Sequence, residues 1–201
     1  MIQAEGALVL TFYFAPGSSS MAPHIALHEI GRPFESRPIS FARKENHAPA
    51  YLALNPEGKV PTLLIDGTPL TEVAAILFYL AKRFPEAGLL PDWDILAEAQ
   101  VISWMSFIAS TIHPARRQGM ERSKEVFAIA DRKLGRQQWV LARYSIADIH
   151  LFRLYWRFAN SFHPAPGMFP NLSSHYDRMM ARPAVQQTCK IEAAIGYELP
   201  A

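Results

Sequence analysis

Every convincing strand pattern in the chain lies before Phe84, and everything beyond Pro91 reads as helix. That division predicts a small α/β unit of the βαβ-ββα kind followed by an all-helical one. The 201 residues allow one large domain or two small ones. A chain of that size buries roughly 70% of its unfolded surface, so the core needs no disulfide or metal staple.

Ala7 to Phe14 (ALVLTFYF) is β-branched and aromatic and bounded by Gly6 and Pro16, which predicts a strand buried on both faces. Pro16-Gly17 breaks the chain. Ser18, Ser19 and Ser20 then precede an apolar-periodic stretch closed by Gly31, so Ser20 to Ile30 reads as a helix with a serine cap. Phe34 to Ser40 can return as a second strand parallel to the first, completing a βαβ unit. A short helical segment, Pro49 to Leu54, leads to Asn55-Pro56-Glu57-Gly58. Val60 to Ile65 and Thr68 to Thr71 flank Asp66-Gly67, a strong hairpin signal, and Pro69 marks its strand as an edge. Ile76, Leu77, Leu80 and Phe84 form a helical stripe within Glu72 to Phe84.

Pro85 to Asp92 is a Pro/Gly-punctuated connector, which divides the chain into residues 1–84, a linker 85–92 and residues 93–201. Beyond it, Leu96 to Ile112 is one long helix, apolar nearly all round and so expected in a core. Met120 to Leu134 ends at Gly135. Tyr144-Ser145-Ile146-Ala147-Asp148-Ile149 has the form of a capping box with a hydrophobic staple, opening a helix over Ile146 to Ala159. Two shorter helices, near Leu172 to Ala181 and Ala184 to Ala194, complete the chain.

Composition removes several function classes. Twenty Lys and Arg against 18 Asp and Glu leave a net charge of +2, and no run of five basic residues supplies a nucleic-acid patch. A single cysteine, Cys189, excludes an intrachain disulfide, a CxxC redox pair and a cysteine-built zinc site, and fits a reducing compartment. The apolar run at the N-terminus is too short for a membrane helix and lacks the basic flank of a signal peptide. The expectation is a soluble, cytoplasmic protein without a metal. His24 and His28 are spaced i, i+4 without an accompanying carboxylate signature, so a surface helix face is the better reading.

Four segments together carry a family resemblance: Pro16 to Leu27 (PGSSSMAPHIAL), Asn55 to Leu63 (NPEGKVPTL), Leu70-Thr71-Glu72 opening a helix, and Tyr144-Ser145-Ile146-Ala147-Asp148. In their order and spacing, over nearly the whole chain, they resemble the cytosolic glutathione transferases, and the bacterial beta-class branch most closely. That resemblance implies a thioredoxin-like N-terminal domain, an all-α C-terminal domain, glutathione as co-substrate and a homodimer.

It also implies site residues. Glu72 would pair with the γ-glutamyl ammonium while the helix it opens, from Val73, presents amides to the γ-glutamyl carboxylate. Many relatives have Ser where Val73 stands, so weaker binding is expected. The alternative for Glu72, the less favoured of the two, is a first-turn carboxylate stabilised by the helix dipole. Val60-Pro61 resembles the family's cis-proline step, which exposes the Val60 amide and carbonyl to the cysteinyl backbone of glutathione. Lys44 lies where beta-class relatives carry a lysine for the glycyl carboxylate, and Lys59 is a second cation nearby; either is also what a solvated surface lysine looks like. His113 falls where relatives place a cleft histidine, with Pro114 in place of an adjoining lysine. A histidine capping a helix that Pro114 stops explains the same residues.

The thiol end departs from the branch. The beta-class cysteine is replaced by Ser19, followed by Ser20, and Phe14 stands where a tyrosine is usual. Ser19 or Ser20 would donate a hydroxyl to the glutathione sulfur, or both are helix caps. Tyr13 reads as core or interface, and Cys189 as a small buried apolar residue. Tyr155, Trp156, Phe158 and Phe162 line an acceptor pocket or build core. The function implied is conjugation of glutathione thiolate to small hydrophobic electrophiles. The rival is a non-catalytic glutathione-binding or stress-interaction protein of the same fold. A glutathione-linked peroxidase or reductase is disfavoured by the absence of a cysteine near the site.

Overall fold

The computed structural model describes residues 8–91 and 95–198; the expected start of the first strand at residue 7 and the end of the connector at residue 92 lie outside them. Four strands, β1 (Leu10–Phe14), β2 (Glu35–Pro38), β3 (Thr62–Ile65) and β4 (Thr68–Thr71), form one sheet in the order β2-β1-β3-β4. β1 pairs parallel with β2, Thr11 opposite Glu35, and antiparallel with β3, Phe12 opposite Leu63. The crossover between β1 and β2 is α1 (Met21–Ile30), and the hairpin turns at Asp66-Gly67. Pro69 sits on the edge strand β4, where its missing amide costs no ladder bond.

The alternation of β1 decides which face meets the core. Leu10, Phe12 and Phe14 are buried while Thr11 and Tyr13 are half-buried, and Tyr13 packs on Tyr51 at 5.6 Å between ring centroids. After β2, whose side chains are exposed, comes α2 (Pro49–Leu52), and after β4 comes α3 (Val73–Arg83). α3 and α1 pack together against the sheet through Ile76, Leu77, Leu80, Ile25 and Leu27.

The helical half consists of α4 (Ile95–Phe107), α5 (His113–Ala115), α6 (Met120–Leu134), α7 (Ile146–Phe162), α8 (Pro170–Met180) and α9 (Pro183–Ile195). α4 was expected to be enclosed, yet only the stripe Ala97, Val101, Trp104 and Met105 is buried, while Ile95 is 86% and Ile102 42% exposed. One side of the helix rests on α7 and the other faces out. By length and composition the continuous stretch Ile95–Gln118 would also suffice to cross a membrane.

A second difference concerns Pro114, expected to stop that helix. The chain instead passes through a π turn, Ile108–Ile112, in which the His113 amide donates to the Ile108 carbonyl, and continues helically as α5. A proline inside a regular helix clashes with the carbonyl four residues back. One wider turn just before it absorbs that clash and rotates the residues that follow.

The capping box at the head of α7 is present. Ser145 accepts from the Ala147 amide, and Asp148 accepts from the Ser145 amide at 2.9 Å. Asp148, fully buried, also accepts from the Val140 amide and meets His175 at 3.0 Å, so it ties three segments together. Tyr144, just before the cap, donates to Glu29 of α1 at 2.9 Å and lies 3.6 Å beneath the Arg182 guanidinium, which itself clamps Glu29.

Candidate functional site

Two cavities of about 270 Å³ each share Ser19, Lys59, Val60, His113 and Arg117, and so open into one cleft between the sheet domain and the helices. The first is walled by α7 and α6, through Arg153, Leu154, Arg157, Phe158 and Phe127. The second runs from the Val60-Pro61 step to the head of α3, past Glu72 and Val73.

The cleft floor is built by a short loop. Asn55, Pro56, Glu57 and Gly58 turn the chain, with Gly58 at φ +60, where a Cβ would stand 3.0 Å from the Asn46 carbonyl oxygen. Asn46 donates to the Gly58 carbonyl at 2.8 Å, and Tyr51 and Asn55 both donate to the Lys59 carbonyl. So anchored, the Val60-Pro61 peptide is cis, and Val60 lines both cavities. Lys59 pairs with Glu57 at the rim.

Glu72 holds φ +69 and ψ 126 at the start of α3. A glutamate there is strained by roughly 1–3 kcal/mol, a cost that residues bear mostly at ligand sites. The conformation leaves its side chain exposed and uses none of it to cap α3, whose first-turn amides, Val73 among them, stay open to the second cavity. An anion fits there, and a cation fits the carboxylate beside it.

Ser19 and Ser20 part company. Ser19 lines both cavities and donates to the Val60 carbonyl at a long 3.3 Å. Ser20 is wholly buried; its hydroxyl donates to the Ala15 carbonyl at 3.0 Å, accepts from the Ala15 amide at 3.1 Å and meets Ser18 at 2.6 Å. With those bonds made it has nothing to offer a ligand, which removes it as a thiol donor. It is not a side-chain cap either, because its own backbone is already helical. Lys44 is exposed and lines neither cavity, so the structure does not bring it to the cleft. Its loop is instead held from below by Glu45 and Glu198, which accept from the Ser40 and Ala42 amides.

His113 is turned into the cleft by the π turn before it. Desolvation, helped by Arg153, Arg117, Arg116 and Lys59, lowers it to about 4, so it is neutral at pH 7. His150 is fully buried at the back of the second cavity, and its Nδ1 has no hydrogen-bond partner among the described residues. Burial, then His113 and Arg153, lowers it to about 3.

Sequence reasoning also missed the supports of the Ser19 loop. Glu192 of α9, fully buried, accepts from the Gly17 amide at 2.6 Å and meets His24 Nδ1 at 2.8 Å. His24 is therefore buried, contrary to the expected surface face, because α9 covers that side of α1. Arg153 of α7, also buried, donates to the Ser18 carbonyl at 2.8 Å and the Gly17 carbonyl at 2.9 Å. Gly17, at φ +71, thus has its amide and its carbonyl gripped by two helices. Of the aromatic group, Phe158 and Phe162 line the first cavity, whereas Tyr155 packs in the core with Phe127 and Phe169 and Trp156 against Tyr197. Cys189 is half-buried in α9, and desolvation with nearby Glu192 pushes its thiol up to about 11, away from nucleophilic use.

Comparison with known proteins agrees with this architecture. Residues 8–82 match the family model for the glutathione S-transferase N-terminal domain and residues 100–183 the model for the C-terminal domain. The glutathione S-transferase GstA of Escherichia coli O157:H7 is 30% identical over 203 aligned positions, covering 91% of this chain and 98% of its own. A sphingomonad glutathione S-transferase solved with glutathione superposes with a TM-score of 0.82 at 31% identity, covering 91% of this chain and 98% of that one. The beta-class glutathione S-transferase of Sphingomonas chungbukensis gives 0.80 at 31%, covering 90% and 98%. A cis-proline floor, an open helix head beside Glu72 and a serine at the cleft junction thus sit in a chain that belongs to the glutathione S-transferase family.

Proposed function

We propose that this glutathione transferase holds glutathione in the second cavity and activates its thiol through Ser19. Glu72 takes the γ-glutamyl ammonium, the Val73 end of α3 takes the carboxylate, and Val60 pairs with the cysteinyl backbone beside Pro61. Lys59 and His113 flank the glycyl end. The observation that carries the reading is Ser19: it alone of the three serines lines both cavities, at their junction, where a sulfur would meet an acceptor.

Its hydroxyl, held among the described residues by the long bond to the Val60 carbonyl alone, can turn to a thiolate once the cysteinyl amide occupies that carbonyl. The sulfur then attacks an electrophile in the first cavity, whose walls include Phe127, Phe158 and Phe162. The thiol proton leaves to solvent. The reading goes with a thioredoxin-like domain over residues 1–84, a linker and a helical domain over 93–201 that supplies the acceptor wall. It goes also with a cytoplasmic homodimer, in which the exposed apolar side of α4 at Ile95, Leu96 and Ile102 would be covered by the partner.

The test is glutathione binding by calorimetry followed by turnover of 1-chloro-2,4-dinitrobenzene. Binding and conjugation, with Ser19→Ala losing turnover but keeping affinity, support the reading. Binding without conjugation leaves the non-catalytic alternative, and no binding refutes both.

A further inference from the structure

The helical half lines the first cavity with Phe127, Phe158 and Phe162, and the sheet domain adds one aromatic ring among the described residues, Phe41. Phe41 is half-buried on the turn that follows the exposed strand β2, and it packs against the small cluster of Ala15, Ile39, Tyr51 and Val60. The turn is closed from within. Ser40 donates its amide to Glu45 at 2.8 Å, and its hydroxyl accepts from the Arg43 amide at 3.1 Å. Neither bond ties the turn to the helices.

That tie comes from the segment after α9. Past Gly196, which ends the helix, Tyr197 packs on Trp156 of α7 at 5.4 Å between ring centroids, and Glu198 reaches the turn. Its carboxylate accepts from the Ser40 hydroxyl at 2.8 and 3.0 Å and from the Ala42 amide at 2.9 Å. Ser40 and Ala42 are the two neighbours of Phe41. The Ala42 amide first, then the Ser40 hydroxyl, holds the Glu198 carboxyl below the usual carboxylate range, so it is ionised at neutral pH. Charge-assisted bonds on both sides of one residue fix the backbone from which its ring projects.

We propose that Glu198 is a positioning residue that sets the size of the acceptor: by clasping both neighbours of Phe41 it fixes that ring as a wall of the first cavity, which then favours a single flat ring over a fused pair. At about 270 Å³ the cavity lies just under the roughly 300–1,000 Å³ of most small-molecule sites, so the place of one side chain decides what fits. A wall that cannot yield excludes a bulkier body by overlap, and one that swings aside admits it. The inference deepens the transferase reading, on which it rests for the chemistry but not for the binding. A tail that only completed the fold would act on every acceptor alike.

Two electrophiles of one chemistry decide it, 1-chloro-2,4-dinitrobenzene and 1-chloro-2,4-dinitronaphthalene. In each, the glutathione sulfur bonds to the carbon that bears chlorine, the nitro groups delocalise the electron pair, and chloride leaves. With each kcat/KM divided by its uncatalysed rate with glutathione, the naphthalene-to-benzene ratio is expected below one in the wild type and to rise at least about fivefold in Glu198→Ala. Phe41→Ala is expected to raise it as far, and Glu198→Ala added to Phe41→Ala no further, because both act through one ring. Glu198→Gln, which keeps one carbonyl oxygen for the Ala42 amide, should lie between. KM for glutathione should stay within about twofold of the wild type, and a ratio taken on one sample cancels any loss of folded protein. A ratio unmoved by Glu198→Ala, or effects of the two alanine variants that multiply, overturns the inference.

Should neither electrophile react, the transferase reading fails while this inference is still decided, by calorimetry of the unreactive parents 1,3-dinitrobenzene and 1,3-dinitronaphthalene. A binding preference that shifts toward the naphthalene in both Glu198→Ala and Phe41→Ala supports it. The same preference in all three proteins, or no binding of either compound, refutes it.

Discussion

Glu192 lies 175 residues from Gly17 and yet holds the loop on which the proposed chemistry depends. Replacing it with alanine removes a wholly buried carboxylate that accepts from the Gly17 amide at 2.6 Å and pairs with His24 at 2.8 Å. Each hydrogen bond to a charged group is worth about 1.5–3 kcal/mol. Removing a buried carboxylate that holds two such bonds costs about 3–5 kcal/mol, because the groups left behind stay buried and unmet. Here those groups are the Gly17 N–H, the His24 ring and the nearby Arg153 charge. Glu192→Ala is thus expected to lose about 3–5 kcal/mol. At about 2–4 °C per kcal/mol for a chain of this size, Tm should fall by roughly 6–20 °C. Urea unfolding gives the free energy directly, and a cycle with His24→Ala isolates the pair, with a coupling above about 1 kcal/mol expected. Below the lowered Tm, kcat should drop more than KM rises, because the loop that carries Ser19 loosens while the glutathione floor at Val60 and Glu72 is untouched. A loss under about 1 kcal/mol, with no coupling to His24, would refute the reasoning.

Three further outcomes follow from the geometry. Ser20→Ala should cost about 1–3 kcal/mol in urea unfolding, since it strands the Ala15 amide in the core, yet leave the acidity of bound glutathione unchanged; a shift in that acidity would return Ser20 to the site. Glu72→Gly should stabilise the fold by a net of about 1 kcal/mol, the relief at φ +69 less the added freedom of the unfolded chain, while weakening glutathione at least about tenfold. Higher affinity would contradict the assigned role. Finally, His150 and His113 are held neutral in the folded chain, at about 3 and about 4, but titrate near 6.5 unfolded. Between those values the unfolded state binds more protons, so stability is complete above pH 6.5 and falls as pH drops through 6.5 towards 3, by up to about 1.4 kcal/mol per pH unit for buried His150. Urea midpoints at pH 7 and 5 should differ in the wild type and less so in His150→Leu; a flat profile refutes the burial argument.

What was legible in the sequence was what is local. Asp66-Gly67, the Ser145 and Asp148 cap and the stop at Gly135 each announce themselves within a few residues, because turn and cap chemistry is written in adjacent side chains. Val60-Pro61 was legible only through the motif around it. What escaped was made by distance. Nothing near His24 points to Glu192, 168 residues on, and nothing near Arg153 points to the Gly17 and Ser18 carbonyls. Ser19 and Ser20 look alike in sequence, and only their opposite directions in the folded loop separate a cleft hydroxyl from a buried one. Pro114 reads as a stop by local rules; the π turn that admits it is paid for by packing on α6 and α7. The cationic side chains that line the first cavity come from three separate segments, so nothing local in the sequence brings them together.

The central claim, that the cleft ionises the glutathione thiol through Ser19, is tested most directly by titrating the ultraviolet thiolate absorbance of bound glutathione in the wild type and in Ser19→Ala. The account predicts a wild-type pKa at least about one unit below the 8.5 of a free thiol, moving back up in Ser19→Ala with glutathione still bound. A bound thiol that titrates at the free value, or at the same depressed value in both proteins, would contradict it.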